Sequence, residues 1–234
     1  MTDRKLTART AGFLYLIVVI TGIFSLMYVP KQLFAWHDQA ATFKNIVQRE
    51  SLFRLSILSS AICYISFTLL PLVLYRLLEV VNKFAAAVMV AFALVSIPIS
   101  FLNLQYKYGI LDLIAVSRQP SAKPLEELQS QTMALLNQYD NGIFIATIFW
   151  GLWLLPFGYL VFKSKFIPRI FGILLMLGCF GYLINYTGNT LSAGYSSFGI
   201  AQYAGMLPAI GEISICLWLL IVGVRVKKAV EMPA

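Results

Sequence analysis

Glu212 is a carboxylate set in a stretch that must cross a membrane. Only 12 uncharged residues separate it from Arg225, about 18 Å of helix at 1.5 Å per residue. A hydrocarbon core is about 30 Å thick, so the helix that carries the apolar run from Ile213 has to begin near Met206. Glu212 then lies about 9 Å inside its outer end. An ionisable group at that depth costs about 2.5–3.5 kcal/mol on insertion scales and marks a functional site by default. Such a carboxylate can hold a cation, accept hydrogen bonds from a ligand, or exchange a proton.

Other polar side chains gather at similar depth. Arg54 opens the second apolar stretch, Asn103 and Gln105 end the third, Asn185 and Thr187 end the fifth, and Gln202 and Tyr203 precede the last. Groups of this kind must satisfy one another or a ligand when water is excluded. Arg54 is the natural ion-pair partner for Glu212, because a long arginine can bridge a depth gap of about 6 Å. Glu212, Arg54, Asn103, Asn185, Gln105, Gln202 and Tyr203 therefore form the candidate ligand-binding set, on the outer leaflet. The inner part of the bundle carries almost nothing comparable, which favours a pocket open to the outside over a through-going pore.

Signals for catalysis are thin. His37 is the only histidine, and without HExxH or a second histidine no catalytic metal site is expected. No nucleophile elbow, P-loop or GxGxxG string occurs. His37, Asp38 and Asp140 could exchange protons near the outer surface, although a histidine beside a helix cap has a simpler explanation. Cys63, Cys179 and Cys216 fall singly in apolar stretches and behave as small hydrophobes, with no disulfide or metal expected. The sequence implies no cofactor.

The elements that position these residues follow from where the charges are. Hydrophobic residues make up 59% of the chain and charged residues 12%, about half the charged share of a soluble domain. The uncharged stretches predict six spanning helices, at about 11–29, 53–75, 84–104, 142–162, 168–187 and 206–224. Residues 187–205, rich in Gly, Ser, Asn and Tyr, are expected to be a loop. The result is an all-α polytopic transmembrane helix bundle, one integral membrane domain over 1–234, lying in a lipid bilayer. The first apolar run lacks a cleavage site and is expected to be retained.

Basic residues orient the bundle. Arg4, Lys5, Arg9, Arg76, Lys83, Lys163, Lys165, Arg169, Arg225, Lys227 and Lys228 share one side, against seven Lys or Arg in the longer segments opposite. The positive-inside rule puts both termini in the cytoplasm. The net charge of +8 therefore reports topology and not nucleic-acid binding.

Two longer outer segments are expected to hold short extracytoplasmic amphipathic helices. In 30–51 Asp38 is an N-cap ahead of Phe43, Ile46 and Val47. In 105–141 a helix is expected to start at Pro124-Leu-Glu-Glu and to close at Asp140-Asn141-Gly142. These segments either tie helices together or cap a cavity. Prolines 71, 98, 156 and 208 are expected to kink helices, and Gly172, Gly178 and Gly181 to allow close packing. Leu-Leu-Pro, a basic turn and Lys-Phe recur at 69–84 and 154–166. An asparagine follows 19 residues after each phenylalanine, at 103 and 185, as a parallel internal repeat would have it.

The strings SLFRLSIL (51–58), LLPLVLYRLLEVVNKFAA (69–86) and GLWLLPFGYLVFKSKFIPRIFGILLMLGCFGYLINY (151–186), with RTAGFLYLIVVITGIFS at 9–25, resemble the bacterial membrane proteins grouped as domain of unknown function 4386. The resemblance covers nearly the whole chain. It implies a bacterial cytoplasmic (inner) membrane protein of about six helices and transfers no functional residue.

The leading expectation is a membrane protein with an outward-facing polar pocket that binds, or transports, a small amphipathic molecule or lipid. The alternative is a structural or regulatory subunit that pairs with another protein or with its own copy. An intramembrane enzyme is third.

Overall fold

The structure is a computed structural model and describes residues 2–119 and 123–225. These residues form helices and turns, with no strand among them. Helix α1 (Thr2–Ile23) continues through a π-helical turn, Phe24–Tyr28, into α2 (Val29–Leu33). Helix α3 (Gln39–Gln48) follows, then α4 (Glu50–Leu78), α5 (Lys83–Ser117), α6 (Leu125–Leu152), α7 (Leu154–Lys163), α8 (Arg169–Leu191) and α9 (Gly199–Ile221). Six helical stretches are long and apolar enough to span a membrane, with α6 and α7 counting as one.

Local chemistry sets the helix ends. Asp38 caps α3 by accepting the Ala41 N–H at 2.8 Å, as the sequence predicts. Asn82 does the same for Ala85 at 2.9 Å where α5 begins. Gly223 closes α9 in a left-handed conformation, φ 76°, where its N–H donates to the Trp218 carbonyl at 2.9 Å. The α6–α7 break at Trp153 falls just before Pro156, which has no N–H to offer the Leu152 carbonyl. The π turn in the first span has a similar origin. Pro30 removes a donor, and the widened turn accommodates the loss.

Three sequence expectations need correction. Helices α5 and α6 run on through most of 105–141, so Asp140-Asn141-Gly142 lies inside a helix and does not end one. Gly142 is there for packing. A Cβ at this position would fall on the Asn103 amide. Second, the expected 187–205 loop shrinks to 192–198, because α8 reaches Leu191 and α9 starts at Gly199. Asn189 and Thr190 bond the carbonyls of Asn185 and Tyr186, each at 2.8 Å. These polar side chains are thereby used up inside the helix. Third, the first span continues to Leu33 and does not stop at Val29.

The chain divides into two compact units. A terminal unit comprises Met1–Leu16, Leu69–Ala93 and Trp150–Ala234, and a central unit comprises Ile17–Thr68 and Leu94–Phe149.

Small residues hold the terminal unit together. A Cβ on Gly12 would strike the Leu220 backbone, and one on Gly181 would strike the Ala204 carbonyl. A Cβ on Gly211 would sit 2.9 Å from the Leu174 carbonyl oxygen, and Gly158 and Gly172 approach one another similarly. The glycine series thus acts as expected, letting helix backbones touch where lipid gives side chains no hydrophobic reason to associate.

The central unit is packed by larger side chains. Leu33, Phe43, Ile46, Phe53, Ile110, Leu128 and Leu136 form a buried cluster. The amphipathic faces expected of α3 and the start of α6 therefore meet one core. At 35 residues, α5 is about 52 Å long, well beyond a hydrocarbon thickness of about 30 Å.

Candidate functional site

Glu212 and Lys107, ionisable side chains in helices long and apolar enough to span a membrane, mark where chemistry could happen, one in each unit. Glu212 belongs to the terminal unit. It follows Gly211, whose contact with α8 brings the carboxylate beside that helix. Tyr15 on α1 donates to Glu212 Oε2 at 2.8 Å, and Tyr182 on α8 donates to Oε1 at 3.4 Å. Tyr15 is fully buried and packs against the Trp153 ring at 6.0 Å. Both carboxylate oxygens therefore have donors, and α1, α8 and α9 are tied at one point.

Lys107 belongs to the central unit, and sequence reasoning missed it. It lies on α5 with a relative exposure of 0%. Its ammonium donates to Ser56 Oγ at 3.3 Å and stands 4.4 Å from the centre of the Tyr139 ring. Among the described residues no carboxylate lies within ion-pair distance of it. The surroundings are polar on two helices. Ser96, Ser100, Asn103 and Lys107 repeat along one face of α5, and Ser56, Ser60 and Tyr64 along one face of α4, all buried. Asn103 donates to the Tyr139 carbonyl at 2.7 Å. The hydroxyls of Tyr64 and Tyr139 neighbour one another and Ser60 without reaching hydrogen-bond geometry, and the Thr132 hydroxyl is also buried without a partner.

The spacing could have exposed this cluster. Positions 96, 100, 103 and 107 step by four, three and four, one helical face. The uncharged stretch that closes at Tyr106 puts the end of the third span at 104 and Lys107 in an outer segment, which hides the pattern.

The other expected residues scatter. Arg54 pairs with Glu50 one turn away at 2.6 Å, and Arg118 joins the same carboxylate. Glu212 is served by tyrosines. The expected Glu212–Arg54 pair is thus replaced by two local arrangements, since a carboxylate at i−4 on the same helix is the nearer partner. Asn185 accepts from the Tyr195 hydroxyl at 2.9 Å. Gln105, Gln202 and Tyr203 are exposed side chains. Asn103 and Asn185 thus have unlike surroundings, one buried against a backbone carbonyl and the other meeting a tyrosine beyond its helix. Asp38 is spent on its cap, and His37 borders an open groove with Gln39, Glu126 and Gln129. The three cysteines are buried thiols, and no group of potential ligands for a metal occurs among the described residues. Lys227 and Lys228, part of the basic terminus, lie outside the described residues.

The fold and these sites define a multi-pass helical membrane protein with ionisable groups in its spanning helices. Residues 10–223 match the family described as Domain of unknown function (DUF4386), and the chain belongs to that family. It is similar to an uncharacterized protein of Archaeoglobus fulgidus, 30% identical over 107 residues, 44% of this chain and 62% of the relative. The chain thus spans about three fifths of that relative's length. No solved structure matches.

Proposed function

We propose that this is a multi-pass protein of the bacterial cytoplasmic membrane, with cytoplasmic termini, that binds a small amphipathic molecule or lipid. The observation that carries the reading is the pair of neighbouring buried hydroxyls without partners on Tyr64 and Tyr139. Each such group costs about 1–3 kcal/mol when left unmade, and a ligand's polar end recovers that energy. Apolar side chains adjoin the same place. Val18, Leu26, Leu104 and Ile143 pack with Tyr64 and Tyr139, so a molecule with a polar end and a hydrocarbon body suits it. The central unit holds the segments that the positive-inside rule assigns to the outer face, which supports an outward-facing site. The tyrosine donors of Glu212 favour a structural role for that carboxylate.

Native mass spectrometry of the purified protein tests the reading. Wild type is expected to retain an amphiphile that the double variant Tyr64→Phe/Tyr139→Phe releases while still folding. Equal retention by both, or a stoichiometric protein partner in place of any small molecule, would overturn it. Orientation has its own test. Cysteines introduced at Ser130 and Ser197 are expected to react with an impermeant reagent outside intact cells, and one at Lys163 to stay unlabelled. The opposite pattern reverses the topology.

A further inference from the structure

We propose that the central-unit site receives an oxyanion, a carboxylate or phosphate, carried on the amphiphile as its head group, with Lys107 supplying the charge and Tyr64 and Tyr139 supplying hydroxyl donors. This rests on the amphiphile-binding reading and adds the sign and chemistry of the head.

The donor inventory carries the argument. An ammonium has three N–H donors, and the contacts found for Lys107 are one hydroxyl oxygen at 3.3 Å and one aromatic face. The site's neighbouring side chains are hydroxyls, which can turn their O–H toward an acceptor. Asn103 has its amide N–H on the Tyr139 carbonyl. A buried cation among rotatable donors, with no carboxylate in reach among the described residues, attracts negative charge and repels positive. Buried charges are otherwise found paired. An oxyanion offers several lone pairs at once, which an ammonium and two phenolic hydroxyls can share as charge-assisted bonds. The lysine stem is flexible, so the ammonium can turn toward an incoming head.

A competing explanation is that the aromatic face alone satisfies the ammonium. Cation–π attraction at a desolvated site is worth less than burying an ion costs. The ring lowers the cost and does not remove it.

The test uses the full chain purified in a neutral maltoside detergent, followed by thermal unfolding with four probes of one chain length: dodecanoate, dodecyl phosphate, dodecanol and dodecylamine. Inorganic phosphate is a fifth probe. The two anionic amphiphiles are expected to raise Tm in wild type, with binding at least about tenfold weaker in Lys107→Met. Lys107→Met removes a lone charge and is expected to fold with an unchanged or higher ligand-free Tm, so its loss of response is interpretable. Lys107→Gln serves as a second variant. Equal shifts with dodecanol or dodecylamine, or undiminished binding in both variants, overturn the oxyanion head while leaving the amphiphile reading in place. No shift with any amphiphile overturns both. A full shift from inorganic phosphate alone makes the site one for free anions and overturns the head-group proposal.

Discussion

Glu212 and Lys107 are both ionisable side chains in spanning helices, and their surroundings are opposite. The terminal unit gives its carboxylate a donor for each oxygen, from Tyr15 and Tyr182. The central unit gives its ammonium one hydroxyl and an aromatic face, and leaves the Tyr64 and Tyr139 hydroxyls without partners. Packing differs in the same sense. In the terminal unit glycines bring backbones together at Gly12, Gly181 and Gly211, a geometry with little freedom. In the central unit larger side chains meet, and the close approach at Gly142 is to a side chain, Asn103. A charge with its partners built in is part of the scaffold. A charge without them is poised for something from outside.

The comparison breaks most visibly at Glu212. Glu212→Leu leaves two tyrosine hydroxyls in an apolar setting without their acceptor, and thermal unfolding in detergent is expected to show a loss of about 2 kcal/mol or more. Glu212→Gln keeps an acceptor oxygen and is expected to lose less than half as much. If Leu is tolerated, the carboxylate is not a structural tie and the contrast between units fails.

Lys107→Met should move stability the other way. Removing a buried cation without a counter-charge is expected to raise ligand-free stability by about 1 kcal/mol or more, as replacing buried charges by apolar side chains often does. Destabilisation on the scale of Glu212→Leu would mean that Lys107 too is fully satisfied, and the two sites would then be alike.

Much of the fold was legible because it follows from strong physical constraints. Long uncharged stretches must be helical in lipid, so six spans and the cap at Asp38 could be read from residue types alone. The lengths of the helices could not. Lys107, Asp140 and Gly142 look like loop residues one at a time, and each is inside a helix. Lys107 and Gly142 meet distant parts of the chain, Ser56 and Asn103. The site suffered most. Charge depth singled out Glu212, but nothing local announces that Tyr15, 197 residues away in sequence, will supply its hydrogen bond. The same gap made Arg54 look like its partner.

Asn103 offers a sharper probe of the central unit. Asn103→Ala removes the amide that donates to the Tyr139 carbonyl and opens space beside Gly142. A loss of about 1–2 kcal/mol is expected. Gly142→Ala alone forces a Cβ onto the Asn103 amide and is expected to cost at least as much, within the usual range for overpacking of about 1–3 kcal/mol. The double variant should lose less than the sum, since the alanine at 142 then occupies space vacated at 103. Strict additivity would show that the two helices relax independently and that the asparagine does not set their spacing.

The smallest effect is expected at Arg54. Its side chain is 59% exposed and its carboxylate partner, Glu50, is one helical turn away, so screening leaves the pair worth below about 1 kcal/mol. Arg54→Ala should therefore change the unfolding temperature only slightly, and less as salt is added. The informative measurement is the double variant with Glu212→Gln. Residues that share no partner usually combine within about 0.3–0.5 kcal/mol of additivity, and Arg54 and Glu212 have separate partners in separate units. A coupling well above that range would mean that the guanidinium reaches the carboxylate in the functioning protein. Glu212 would then be a charge with a mobile counter-ion, and the ligand-responsive centre would have to be sought in the terminal unit and not at Lys107.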